Sequence, residues 1–150
     1  MIVFQHLFKR INCFAGFSIL ILCLLFSPYV SAEDVTIICN KSVSETHLSK
    51  GEIKNIFTGK KRGWENGESI TIAILKEGDV QKSFCRAHLR KSPSQFISYW
   101  KYMQYTGKGQ MPKSFDTEKE IIHFVANTRG AIGYVSAVQN TDNVKTLSIE

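Results

Sequence analysis

Apolar positions along this chain switch between a spacing of two and a spacing of three to four, and the switches mark its elements. Val35 to Cys39, VTIIC, is an unbroken run rich in β-branched residues and predicts a central strand. From Ser49 the spacing lengthens. Ile53, Ile56 and Phe57 fall on one helical face, Ser49 and Glu52 have capping-box spacing, and Gly59 supplies the stop. Trp64 and Asn66-Gly67 form a turn, and Ile70 to Leu75 predicts a second strand apolar on both faces, hence covered on both sides. Asp79 is expected to cap a helix from Val80 to Leu89. Ser92, Pro93 and Gln95 open a third helix that runs to Tyr105.

Gly107 to Pro112 is a breaker segment. Asp116 or Thr117 then caps a fourth helix with Ile121, Ile122, Phe124 and Val125 inward, ending at Asn127 to Gly130. Ala131 to Val135 predicts a strand in which Gly133 marks a close backbone approach or a bend, and Val144 to Ile149 predicts a final edge strand. The order is strand, helix, strand, three helices, strand, strand. That predicts a single layered α/β domain with a small mixed sheet of about four strands flanked by helices.

The first thirty residues do not join this pattern. Lys9 and Arg10 precede an apolar run from Phe14 to Phe26, and Ser31-Ala32 has the small residues of a cleavage site. Residues 1–32 are therefore expected to be a secretory signal peptide and 33–150 the folded domain, exported to the periplasm or beyond; the alternative is an uncleaved N-terminal anchor. Removing Lys9 and Arg10 leaves 17 Lys/Arg against 13 Asp/Glu, a mild excess that suits small anions or an acidic surface. Lys60-Lys61-Arg62 has no interleaved aromatic residues, so nucleic acid is not an expected partner.

Two cysteines lie beyond the leader, Cys39 and Cys85. An exported chain can join them in a disulfide; as thiols they would be space-filling core residues. No CxxC or Cys/His ligand spacing is present, so no metal or cofactor is expected. Cys85 and His88 share a helical face but lack an orienting third group, and no GxSxG elbow occurs, so no catalytic residues are assigned and no enzyme is expected. Trp64 and Trp100 are expected to be packing residues.

Three segments carry a resemblance. They are Ile53 to Lys60, IKNIFTGK, with Trp64 and Asn66-Gly67; Tyr105-Thr106-Gly107-Lys108-Gly109 after a tryptophan-bearing helix; and Thr128 to Val135, TRGAIGYV. Together they are similar to the phosphate-type periplasmic solute-binding proteins of ABC transporters, which have the type 2 periplasmic-binding fold, and this chain resembles one lobe, as in the family's small single-domain branch. The resemblance implies a non-enzymatic domain that binds phosphate or another small anion for transport or sensing. It also implies an anion loop after the Ile70–Leu75 strand. There Lys76 stands near the family's arginine, and Gly78 and Asp79 stand where the family has a serine-glycine-threonine helix start. With the tendency of α/β sheets to bind at strand ends, the expected site is one edge formed by Asn40, Lys41, Ser42, Lys76, Gly78 and Asp79, with Thr58 and Arg129 approaching it. Asp79 adds like charge at the helix start and points to weak binding or to the alternative, an interaction module for an envelope protein such as a transporter or sensor. A second copy in a homodimer could supply an opposing wall.

Overall fold

The computed structural model describes residues 34–137 and 139–150. The expected leader and its cleavage site lie outside them. β1 (Val35–Cys39) is followed by a two-residue β2 (His47–Leu48), α1 (Lys50–Phe57), β3 (Thr71–Leu75) and α2 (Asp79–Phe84). A π-helical turn over Cys85–Leu89 extends α2; then come α3 (Pro93–Tyr105), β4 (Lys113–Phe115), α4 (Glu118–Asn127), β5 (Ala131–Ser136) and β6 (Lys145–Ile149).

The strands form one mixed sheet in the order β2-β6-β1-β5-β3-β4. β1 runs antiparallel to both of its neighbours, β5 and β6, while β3 is parallel to β5 and β4, and β2 is parallel to β6. The layered α/β class is as expected, but the sheet has six strands rather than four. β2 and β4 are too short to show a period. Val144 to Ile149 is not an edge either, because His47 pairs with Ser148 and Leu48 with Ile149 outside it.

Three helices begin with capping boxes, at Ser49–Glu52, Ser92–Gln95 and Thr117–Glu120, and Thr117 rather than Asp116 is the third cap. Helix α2 departs from expectation. Gly78, at φ 111°, occupies the cap position with no side-chain bond, and Asp79 is the first helical residue. Asp79 instead pairs with Lys82 one turn on, at 2.8 Å.

Register places Ile37, Cys39, Ile132 and Tyr134 on one sheet face. There the Phe84 ring stacks on Tyr134 at 3.9 Å and 5°, and Phe57 meets Phe84 edge-on at 4.6 Å. Helices α1 and α2 are thereby fixed to this face. Trp100 of α3 donates Nε1–H to the Phe57 carbonyl at 3.1 Å, which fastens α3 to the end of α1. On the opposite face Gly133 lies beneath α4. A Cβ there would stand 2.8 Å from Ile121 Cγ2 and 3.4 Å from Val125 Cγ2, so of the two readings of this glycine the close approach holds. No helix among the described residues is long and apolar enough to cross a membrane.

Replacing Gly133 with Val should lift α4 from the sheet and destabilise the fold by about 1–3 kcal/mol, the usual cost of overpacking. An unchanged melting temperature would overturn the close packing. A second test concerns Glu52, which accepts the Ser49 N–H at 3.0 Å and pairs with Lys61 at 3.0 Å. The Ser49 backbone bond first, then Lys61, lowers its carboxyl from 4.5 to about 2. Its contribution is therefore complete above about pH 4.5 and is lost as pH falls towards 2. Because the side chain is 41% exposed, that contribution is at most about 1 kcal/mol. Acid unfolding of Glu52→Gln should show a shallower decline over this window.

Candidate functional site

The reversal of β1 divides the expected site in two. Cys39, the last residue of β1, lies opposite Ile132 near the start of β5, and Thr71 at the start of β3 lies opposite Ala131. Asn40, Lys41, Ser42 and Arg129 therefore gather at one end of the sheet, whereas Lys76, Gly78 and Asp79 lie at the other. The single shared edge is corrected by strand direction, which composition does not encode.

At the first end the polar groups are spent on one another. Asn40 is buried and donates from Nδ2 to the carbonyls of Val125 (2.8 Å) and Ala126 (3.0 Å), while its Oδ1 accepts from Ser42 N–H at 2.9 Å. Ser42 Oγ donates to Glu68 Oε2 at 2.7 Å and accepts from Gly130 N–H at 3.2 Å. Arg129 pairs with the other oxygen of Glu68. The Ser42 hydroxyl and then Arg129 hold the Glu68 carboxyl below its ordinary value. Arg129 is thus neutralised by a carboxylate, and this cluster is a clasp. Lys41 is exposed beside it. Thr58 lies elsewhere again: it ends α1, donates Oγ1–H to the Lys54 carbonyl at 2.6 Å, and accepts the Tyr99 hydroxyl on its own carbonyl at 2.8 Å.

At the second end there is a cleft of about 380 Å3 between the β3–α2 turn and α3. Lys76, Gly78, Gln81 and Lys82 line one wall, and Ser94, Ser98 and Lys101 line the other. Lys76 is bonded to Asp116 at 2.8 Å, so it is not the free cation expected from sequence; the Asp116 bond raises its pKa. Asp79 is held low, and Lys82 high, by their mutual bond. Lys101 has no ion pair among the described residues. Gln81 is the group that sequence reasoning missed. It is 1% exposed, and its Nε2 has no hydrogen-bond partner. The available signal was a long amide between Val80 and Phe84, both buried, on a six-residue helix.

The comparisons agree with this architecture. No family model matches. The phosphate-binding protein PstS of Bacillus subtilis (strain 168) is 33% identical over 114 residues, which are 74% of this chain and 34% of that one. Among solved structures, PstS from Borrelia burgdorferi superposes with a TM-score of 0.61 at 14% identity, over 77% of this chain and 47% of its own. A phosphate-binding protein from Stenotrophomonas maltophilia gives 0.61 at 17%, over 79% and 39%. The fold is one lobe of a phosphate-type solute-binding protein. The chain spans about a third of the curated relative and less than half of these structures.

The segments that resemble the phosphate-type family hold the lobe together. Gly59, at φ 70°, lies so close to Trp100 that a Cβ would stand 2.8 Å from the ring. Trp64 donates Nε1–H to the Gly130 carbonyl at 2.9 Å, which ties the turn to the start of β5. Both tryptophans are packing residues, as expected. Cys39 and Cys85 are free and buried, so the disulfide alternative gives way to the space-filling one. Burial pushes each thiol up to about 11, the opposite of what a nucleophile needs. His88 lies tilted against Phe84 at 5.3 Å with its Nδ1 unpartnered, and burial lowers its pKa. Among the described residues no cluster of metal-ligating side chains occurs.

If the first end is a clasp, Ser42→Ala should destabilise the domain by about 1–2 kcal/mol through the lost bonds to Glu68 and Gly130. Anion affinity measured on the folded variant should be unchanged, and a loss of affinity would return that end to the binding site.

Proposed function

We propose that this protein is an exported small-anion receptor, with phosphate as its first candidate, acting in uptake or sensing. The binding site is the cleft formed by Lys76, Gly78, Gln81, Lys82 and Lys101. The observation that carries this reading is the Gln81 amide. A buried N–H group without an acceptor costs about 1–3 kcal/mol; an anion entering the cleft that Gln81 lines would supply one once the amide turns towards it. Three lysines around the same cleft supply opposite charge, and Ser94 and Ser98 supply hydroxyls. The position follows β3, where the family resemblance implies an anion loop. The Bacillus subtilis and Stenotrophomonas maltophilia relatives are phosphate-binding proteins by name, which supports the same ligand class, as does a structurally similar Clostridium perfringens protein with bound phosphate.

Affinity should be modest. Lys76 and Lys82 are already engaged by Asp116 and Asp79, and an entering anion must compete with those carboxylates. Asp79 lies within the first turn and repels it directly.

Titration calorimetry with phosphate at low ionic strength should give a saturating isotherm with Kd on the order of 0.1–1 mM. Gln81→Leu and Lys101→Ala should each weaken binding several-fold, and Asp79→Ser should strengthen it. Gln81→Leu should also raise the melting temperature of the ligand-free protein, since it removes the orphaned amide. No heat from folded, phosphate-free protein would overturn the reading.

A further inference from the structure

The Gln81 cleft does not end at Lys82. Lys82 and Pro93 also line a second concavity of about 600 Å3, whose other walls include Arg86, Arg90, Lys91 and Gln95. Two clefts that share two residues form one surface track. Lys76 and Lys101 stand at one end of it, and Arg86, Arg90 and Lys91 at the other. Lys82, Arg86 and Arg90 recur at every fourth position through α2 and the π-helical turn, so they follow one side of that segment. Arg90 closes the turn at φ 53°, the one non-glycine residue with positive φ among the described residues, and its N–H is tied to the Cys85 carbonyl. That backbone conformation fixes the direction in which its side chain leaves.

Charge along the track is largely uncompensated. Among the described residues no carboxylate pairs with Arg86, Arg90, Lys91 or Lys101. The acidic groups that face the track are Glu77 on its wall, Asp79 on Lys82 and Asp116 on Lys76. Lys91 Nζ lies 6.0 Å from the Tyr99 ring centroid, which steadies it without neutralising it. The second cleft is lined by no aromatic ring, so a nucleobase has nothing to stack on. What remains is repeated positive charge beside amide and hydroxyl donors, starting from a buried N–H that lacks an acceptor.

We propose that the track binds a short linear condensed phosphate. A terminal phosphoryl group would occupy the Gln81 cleft, and the following groups would lie against Lys82, Arg86 and Arg90. This rests on the anion reading of the Gln81 cleft and names its substrate class. Guanidinium forks match phosphoryl oxygens in geometry. Once the first group is held, each further contact is intramolecular, so affinity rises with chain length although every single contact is weak.

The test is calorimetry of the purified protein with ortho-, pyro- and tripolyphosphate, at low salt and without divalent cations. Tripolyphosphate should bind at least about tenfold more tightly than orthophosphate. The variant Arg86→Gln/Arg90→Asn should remove that gain while leaving orthophosphate affinity unchanged; asparagine keeps the left-handed conformation accessible at position 90. The dependence of tripolyphosphate affinity on salt should also be shallower in the variant. Equal affinities for the three probes, or a chain-length gain that survives in the folded variant, would overturn the proposal. Tripolyphosphate binding that depends on Arg86 and Arg90, with no orthophosphate binding, would keep the track and remove the Gln81 reading. Silence to all three would overturn both.

Discussion

β1 is hydrogen-bonded on both sides to strands that run the other way, and the placement of chemistry in this lobe follows from that reversal. In an open α/β sheet the loops after parallel strands gather at one end and form the ligand crevice. A reversed strand sends its own following loop to the opposite end. Asn40 and Ser42 therefore meet the start of β5, where they fasten the end of α4 and the turn at Glu68. The parallel pair β3 and β4 does the reverse. Leu75 lies opposite Phe115, so the next residues of the two strands, Lys76 and Asp116, emerge side by side and pair. Register alone accounts for that salt bridge.

Helix α2 is set by its aromatic anchor. Phe84 stacks on Tyr134, whose oxygen accepts the Leu75 N–H at 3.2 Å, so the anchor is itself bonded to the neighbouring strand. Gln81 lies three residues before Phe84 and shares its inward side. The anchor therefore draws a polar amide below the surface at the rim of the core. A fold selected for stability alone would place an apolar residue there, because a buried amide without a partner gains nothing over leucine and costs its desolvation. It is this buried amide on which the proposed anion site rests.

Local features of the fold were legible in the sequence, and features set at a distance were not. The capping boxes at Ser49, Ser92 and Thr117 depend on residues three apart, and Gly133 reports a crowding that any side chain would worsen. The direction of β1 depends on β5, almost a hundred residues away, and the two-residue β2 exists only because β6 offers it an edge. Asp79 misled because aspartate favours the cap position, yet Gly78 reaches the required backbone angle more easily and Lys82 offers the carboxylate a partner. Of the candidate site, the turn after β3 was legible through its resemblance to an anion loop. Gln81 was not, since an unmet hydrogen bond is a property of the packed core rather than of the residue.

Ion pairing separates cations that the fold uses from cations that a ligand can use. Glu68 is 19% exposed and is bonded to Ser42 as well as Arg129, so taking Arg129 from it would break a three-part clasp. Asp116 and Asp79 are 68% and 80% exposed, and each makes a single bond to its lysine. Exposed pairs of that kind contribute little to stability, and the released carboxylate is rehydrated at once. Under the proposed anion reading, Lys76 and Lys82 are therefore more easily drawn from their carboxylates than Arg129 is, although that competition still lowers affinity. The same reasoning explains why net charge was a poor guide. A modest overall excess conceals a neutralised end and an end where lysines, weakly held or unpaired, adjoin arginines that have no acidic partner.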